Sequence, residues 1–316
     1  MMDPKLKIQL QHLDGVEVDW NVKLAGHTSL RVGGPVSCLL RPLNLAGLQS
    51  SVQVLSQNHH PYFILGRGTN LLVRDTGTRA AAISLESGFS QVERLDASGR
   101  VRVGAGLRLN RLLRFCLQEG LSGLEFIAGI PGSVGGALRM NAGTHAGEMA
   151  DVCEEVLLLL ADGSLSRLAG SQLCFSYRRA ELPPGAVLLE AEFSFSPSSR
   201  EQIRDKIRTL LRERKEKQPW RLPSAGSVFK NPPGDFAGRL IEAAGLKGVR
   251  VGDAQISPRH ANFIVNRGQA RARDILALIE LARDKVSQEF GVQLELEIEI
   301  IGNNNNTEPF DSAAHK

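Results

Sequence analysis

Apolar residues at Leu45, Leu48, Val52 and Leu55 fall on one face of a helix, which ends at a turn over 58–61. The short apolar run Tyr62-Phe63-Ile64-Leu65 then predicts a strand that leads straight into a glycine loop, so residues 1–80 read as a small α+β unit. From 81 to 198 short strands dominate, among them Val101-Arg102-Val103, residues 156–160 and residues 187–195, with one helix near 109–119. Turn signals at Ala161-Asp162-Gly163-Ser164 and Pro183-Pro184-Gly185 separate them, giving a second α+β unit. Pro197-Ser198-Ser199 marks a boundary, after which Ile203, Ile207, Leu210 and Leu211 form the apolar stripe of a helix. The charged run 204–217 on that helix reads as a solvated face. Further helices are predicted at 236–244, ended by Gly245, and at 273–290, capped by Gly291. Residues 294–300 alternate strictly and set Glu295, Glu297 and Glu299 on one face of a strand, closing a third unit over 199–302. Residues 303–316, opening with four asparagines, read as a disordered tail outside the fold.

Composition narrows the function classes. With 42% hydrophobic and 23% charged residues over 316 positions, the chain is an ordinary globular protein of two or three units. A balance of 38 Lys plus Arg against 34 Asp plus Glu is too even for a nucleic-acid protein and suits anionic small molecules. Cys38, Cys116, Cys153 and Cys174 lie far apart with no Cys-x-x-Cys pair, and the seven histidines show no ligand spacing, so neither a metal site nor a disulfide framework is expected. No signal peptide precedes residue 13, and the longest apolar run, 156–161, is too short to span a bilayer. A cytoplasmic monomer with no membrane or nucleic-acid partner is the expectation.

The densest chemistry lies in residues 129–143, where five glycines and a proline occur within fifteen positions. Glycine admits positive φ and lets main chain approach a ligand closely, so such a run exposes N–H groups that can hold an anion. The loop Gly66-Arg67-Gly68-Thr69-Asn70-Leu71-Leu72 after the predicted strand is a second cradle by the same logic. Two cradles suggest a diphosphate. The third glycine of a dinucleotide fingerprint is replaced by Leu71 and no Gly-Lys pair exists, so a Rossmann domain and a P-loop are both poor readings. Either loop alone is equally an ordinary tight turn.

Three further segments carry reactive groups. Phe175-Ser176-Tyr177-Arg178 sets an arginine in an apolar neighbourhood, able to clamp a carboxylate, although an arginine paired to a structural acid is the simpler reading of that residue alone. Gly226-Ser227-Val228-Phe229-Lys230-Asn231-Pro232 brings a hydroxyl, an ammonium and an amide together; Ser227 lacks a nucleophile elbow and otherwise reads as a turn or capping serine. Glu297 by itself is a solvent-facing strand glutamate, and His260 is the one histidine read as a contact.

Taken together with His27-Thr28-Ser29-Leu30-Arg31-Val32-Gly33-Gly34 and Leu294-Glu295-Leu296-Glu297, these motifs resemble the UDP-N-acetylenolpyruvoylglucosamine reductases from about residue 27 to 302. The resemblance implies an α+β fold: an FAD-binding fold of the vanillyl-alcohol oxidase (PCMH) type made of two α+β subdomains, plus a C-terminal α+β substrate-binding domain. It implies FAD held by Arg31, Gly66, Gly68, Thr69, Asn70, Leu71, Gly132, Ser133, Gly135, Gly136, Asn141 and Gly143. It further implies NADPH as co-substrate, sharing space with UDP-N-acetylglucosamine enolpyruvate, and hydride delivery from flavin N5 to the methylene carbon. Arg178 and Glu297 would stabilise the resulting charge and Ser227 would supply the proton. Tyr177, Lys217 (or Lys215), Asn231, Lys247 and His260 match the region that holds the substrate nucleotide. Only 49 positions separate Arg178 from Ser227, as in the shorter subtype without the insertion that covers the substrate. His27, Thr69 and Leu296 depart from the commoner residues, and Leu296 leaves Glu295 competing with Glu297 until the motif selects the latter. A flavin oxidase of the same superfamily would carry a different substrate domain, and a catalytically silent binding protein would lack one of the three reacting residues.

Overall fold

The computed structural model describes residues 2–302, so the predicted tail lies outside the described residues. In the first unit, strands 16–23, 35–42, 78–83 and 62–64 lie side by side in that order, the first pair antiparallel and the others parallel. Helix α1 (Pro4–Gln11) and helix α2 (Leu45–Gln57) lie against each other beside this sheet. The stripe on α2 buries Leu48, Val52 and Leu55 as its spacing predicts, and Asn44 caps it by accepting the Gly47 N–H at 2.9 Å. Helix α1 was not predicted, although Asp3 accepts the Lys5 N–H and Pro4 occupies the first turn, both start signals. Leu6 and Leu10, one turn apart, are its buried side.

The second unit is a five-stranded antiparallel sheet in the order 165–169, 153–159, 187–194, 100–104, 92–94. Helix α3 (Leu109–Glu119) ends at Gly120 in the left-handed conformation, and a short helix α4 (Val134–Arg139) emerges from the glycine run with Ser133 as its cap. One apolar core runs from Leu6 and Leu48 to Val101 and Phe193, so the first two units are packed into one body.

The third unit has a four-stranded antiparallel sheet, 224–227, 263–266, 254–256 and 250–251, with helices α6 (Ala237–Ala243) and α7 (Ala272–Phe290). The helix expected to open this unit, α5 (Arg200–Lys217), instead lies on the second unit against α3 and the 3-10 turn Glu125–Ile127. Its Ile203 supplies the buried anchor there. The chain then returns: residues 299–301 pair in parallel with 71–73, immediately after the first glycine loop. Both excursions bring third-unit residues to the glycine segments. Among the described residues, no helix is long and apolar enough to cross a membrane.

Candidate active site

A cleft of about 760 Å³ lies where the units meet. One wall is main chain: Gly66, Gly68, Thr69, Asn70, Leu71, Gly132, Ser133, Gly136 and Gly143 all line it. None of the five N–H groups from residue 66 to 70, nor those of Gly132 and Ser133, donates to a protein acceptor among the described residues. Seven uncommitted donors along two loops are what an anion cradle of the kind the glycines imply requires, and they suit a diphosphate. Gly68 is required there, since at φ +59 a β-carbon would lie 2.1 Å from the His27 carbonyl oxygen. A second cavity of about 530 Å³ continues past Thr69, Gly132 and Arg67 towards His27, Ser84 and Ser87, giving an elongated ligand room on both sides of the cradle. At its edge Glu86 is clamped by Arg108 and Arg67; burial opposes ionisation, but these hydrogen bonds win and hold its carboxyl below the usual range.

The opposite wall consists of charged and polar side chains. Arg178 Nε donates to Glu297 Oε1 at 2.8 Å, with both side chains largely withdrawn from solvent. Burial pushes the Glu297 carboxyl up from its ordinary value, and the Arg178 and Lys230 charges offset that only in part. Ser227 ends a bulged strand: Ser224 faces Val265 but Ser227 faces Phe263, so one strand advances three residues while its partner advances two. Gly226 takes φ +78 within the bulge. Bulges re-aim side chains, and this one leaves Ser227 lining the cleft. The Glu297 N–H donates to the carbonyl of Val228 at 2.8 Å, which sets Glu297 beside the serine segment.

The strict alternation predicted for 294–300 does not survive. Regular pairing is confined to 299–301, the chain bends at 297–298, and Leu296 makes only an isolated bridge to Phe229. Glu295 is 77% exposed and pairs with Lys230, whereas Glu297 is 15% exposed. The physical cause is Asn70: its Nδ2 donates to the Glu297 carbonyl at 2.9 Å and its own carbonyl accepts the Glu299 N–H at 2.9 Å. The bend ends any equivalence of the two glutamates.

Helix α5 also corrects its prediction. Most of its charges are exposed as expected, but Leu210, Glu213, Arg214 and Lys217 form an i, i+3, i+4, i+7 stripe that lines the cleft. Burial, followed by the nearby Arg178 charge, lowers the affinity of Arg214 for its proton, and it has no acidic partner among the described residues. Trp220, just past the helix, lies against Gly129, where a β-carbon would come within 2.7 Å of the indole.

Other predicted residues sit elsewhere. Arg31, at φ +56, Tyr177 and Gly135 do not line either cavity; Gly135 packs on Ala105 and Tyr177 lies over the Arg178 guanidinium at 5.0 Å. Asn141 is fully buried with both polar ends bonded within the protein. Asn231 accepts the Ala237 N–H at the start of α6, Lys247 pairs with Glu242 at 2.6 Å, and His260 stacks edge-on against Phe263 while its Nδ1 accepts the Asn262 N–H. These three flank the third unit outside the cleft lining; Lys217 is the predicted nucleotide contact within it.

Comparison with known proteins agrees with this two-walled arrangement. Residues 36–169 match the FAD binding domain model, and residues 218–301 match the model of the UDP-N-acetylenolpyruvoylglucosamine reductase C-terminal domain. The chain is 45% identical over 282 residues to UDP-N-acetylenolpyruvoylglucosamine reductase 2 of Symbiobacterium thermophilum, covering 89% of this chain and 91% of the relative. It is 44% identical over 285 residues to reductase 1 of Bacillus cereus, covering 89% and 94%. The crystal structure of UDP-N-acetylenolpyruvylglucosamine reductase (MurB) from Thermus caldophilus superposes with a TM-score of 0.78 at 43% identity, covering 90% of this chain and 98% of that one.

Proposed function

Since the chain belongs to the UDP-N-acetylenolpyruvoylglucosamine reductase family and is an FAD-dependent oxidoreductase, we propose that it reduces UDP-N-acetylglucosamine enolpyruvate to UDP-N-acetylmuramate with NADPH, in the cytoplasmic synthesis of peptidoglycan precursors. The observation that carries the proposal is the convergence of Arg178, Ser227 and Glu297 on the cleft opposite seven uncommitted main-chain donors. FAD fits the cradle through its diphosphate and, when bound, supplies hydride transfer from NADPH to the enolpyruvyl methylene carbon.

The residues of the chain then have distinct tasks. Hydride arrival at the methylene leaves negative charge on the carbon beside the substrate carboxylate. Arg178 supplies a fixed positive charge for it, and Glu297, whose carboxyl burial pushes up from its ordinary value, lies against Arg178 to share a proton with the same charge. The Ser227 hydroxyl, aimed into the cleft by its bulge, donates the proton that completes the product. A serine is a weak acid, but a carbanion next to a carboxylate is a far stronger base, so transfer is downhill once aligned. Arg214 and Lys217 present cations without a buried carboxylate partner and suit the anionic groups of two nucleotides that use the cleft in turn.

Isotope placement tests the proposal. With NADPH in heavy water, the carbon beside the carboxylate should gain one deuterium, and the methyl group should gain a second to the extent that flavin N5 exchanges with solvent before transfer. Label in neither position, or no conversion of the enolpyruvyl compound, contradicts it.

A further inference from the structure

Two asparagines in the glycine segments make bonds that a cofactor cradle does not require. Asn141 is fully buried, donates from Nδ2 to the Ser176 carbonyl at 3.2 Å, and accepts the Ala150 N–H on Oδ1 at 3.0 Å. Ser176 and Arg179 close a two-residue turn through reciprocal bonds of 2.9 and 3.1 Å, with Tyr177 and Arg178 at its tip. Arg178 has φ +59 there, a left-handed conformation that a residue with a β-carbon keeps only where its surroundings impose it. Asn141 is part of that imposition.

Asn70 does the matching work for the other half of the ion pair. Its two amide hydrogens go to the Glu297 carbonyl at 2.9 Å and to Met140 Sδ at 3.6 Å, so neither is left for a cofactor. Its main-chain carbonyl takes the Glu299 N–H, so backbone and side chain of one residue bracket the bend that turns Glu297 inward. Met140 precedes Asn141, so the contacts close a circuit: Asn70, Met140, Asn141, Ser176, Arg178, Glu297 and back to Asn70.

We propose that Asn70 and Asn141 are positioning residues that hold Glu297 and Arg178 in register. The assignment rests on the reductase reading for its catalytic consequence, but its geometric part does not. Because Asn70 sits in the loop whose uncommitted N–H groups line the cleft, the same loop sets both that wall and the Arg178–Glu297 pair.

The test uses the FAD-loaded full chain with Asn70→Ala, Asn70→Asp and Asn141→Asp. In Asn141→Asp, whose side chain lines neither cavity, flavin content and the rate of flavin reduction by NADPH should stay at wild-type level. Reoxidation by the enolpyruvyl substrate should slow by roughly 10- to 100-fold, the scale of a small misplacement of reacting groups. Asn70→Asp keeps the shape but puts an oxygen where the donor was, so it should not rescue; rescue would mean a packing role and overturn the proposal. The readout independent of turnover is the titration of the Glu297 carboxyl, followed by carbon-13 NMR, which should move upward in Asn70→Ala as the pairing with Arg178 loosens. An unmoved titration in Asn70→Ala, or unslowed reoxidation in Asn141→Asp, overturns the assignment. Failure of the wild-type reduced enzyme to react with the enolpyruvyl compound would instead sink the reductase reading, and the Glu297 titration would still judge the positioning claim.

Discussion

The two walls of the cleft are built on opposite plans. One side presents uncommitted peptide N–H groups from glycine-rich loops. The facing side presents Arg178, Arg214, Ser227 and Glu297, each brought in by a local irregularity or a helix end: a left-handed turn, the last turns of α5, a bulge and a bend. A main-chain site needs conformational freedom, which glycine displays openly in sequence. A side-chain site needs convergence, which only the tertiary structure displays.

Breaking the main-chain wall should have the largest effect. Gly68→Ala forces a β-carbon onto the His27 carbonyl, so the purified protein should be colourless and fail to retain added FAD, as read by its absorption spectrum. On the other wall, Ser227→Ala should leave flavin reduction by NADPH intact and slow reoxidation by the enolpyruvyl substrate by about 10²–10⁴-fold in stopped flow, the usual contribution of a positioned acid. Arg214→Met should raise the KM for that substrate roughly 10- to 100-fold, as expected when a charged hydrogen bond is lost, with a smaller change in kcat. The pH profile sharpens the role of Glu297. Its pKa is raised, so its proton is retained at pH values where an ordinary glutamate is ionised, and is lost as the pH climbs through the raised value. Reoxidation should therefore decline with rising pH on that limb, and Glu297→Gln, which cannot ionise, should abolish the limb at a lower plateau. The smallest effect belongs to the exposed pair that bridges the walls: His145 lies 3.8 Å from Glu213 and is 75% exposed, so His145→Ala should change urea stability by less than about 1 kcal/mol.

Much of this was legible in the chain. The stripe on α2, the glycine stop of α7 and the uncommitted N–H groups of the glycine loops follow from local rules that tertiary contacts did not override. The alternation of 294–300 misled because Asn70, more than two hundred residues away, intercepts the backbone at the bend. The charged stripe of α5 had the right spacing for a cleft face, yet charges that line a cleft and charges that face water look alike until the opposing surface is known. Asn141 was legible as a special residue within the glycine run, but its task depends on Ser176 lying above it.

The account stands on a flavin that accepts electrons on the main-chain wall and passes them to a substrate held by the side-chain wall. The most direct test is anaerobic: reduce the FAD-loaded protein with NADPH, remove excess nucleotide, add UDP-N-acetylglucosamine enolpyruvate and follow the flavin absorbance. Rapid return of the oxidised spectrum, with one UDP-N-acetylmuramate formed per flavin, is the predicted result. A flavin that stays reduced after the enolpyruvyl compound is added would contradict it.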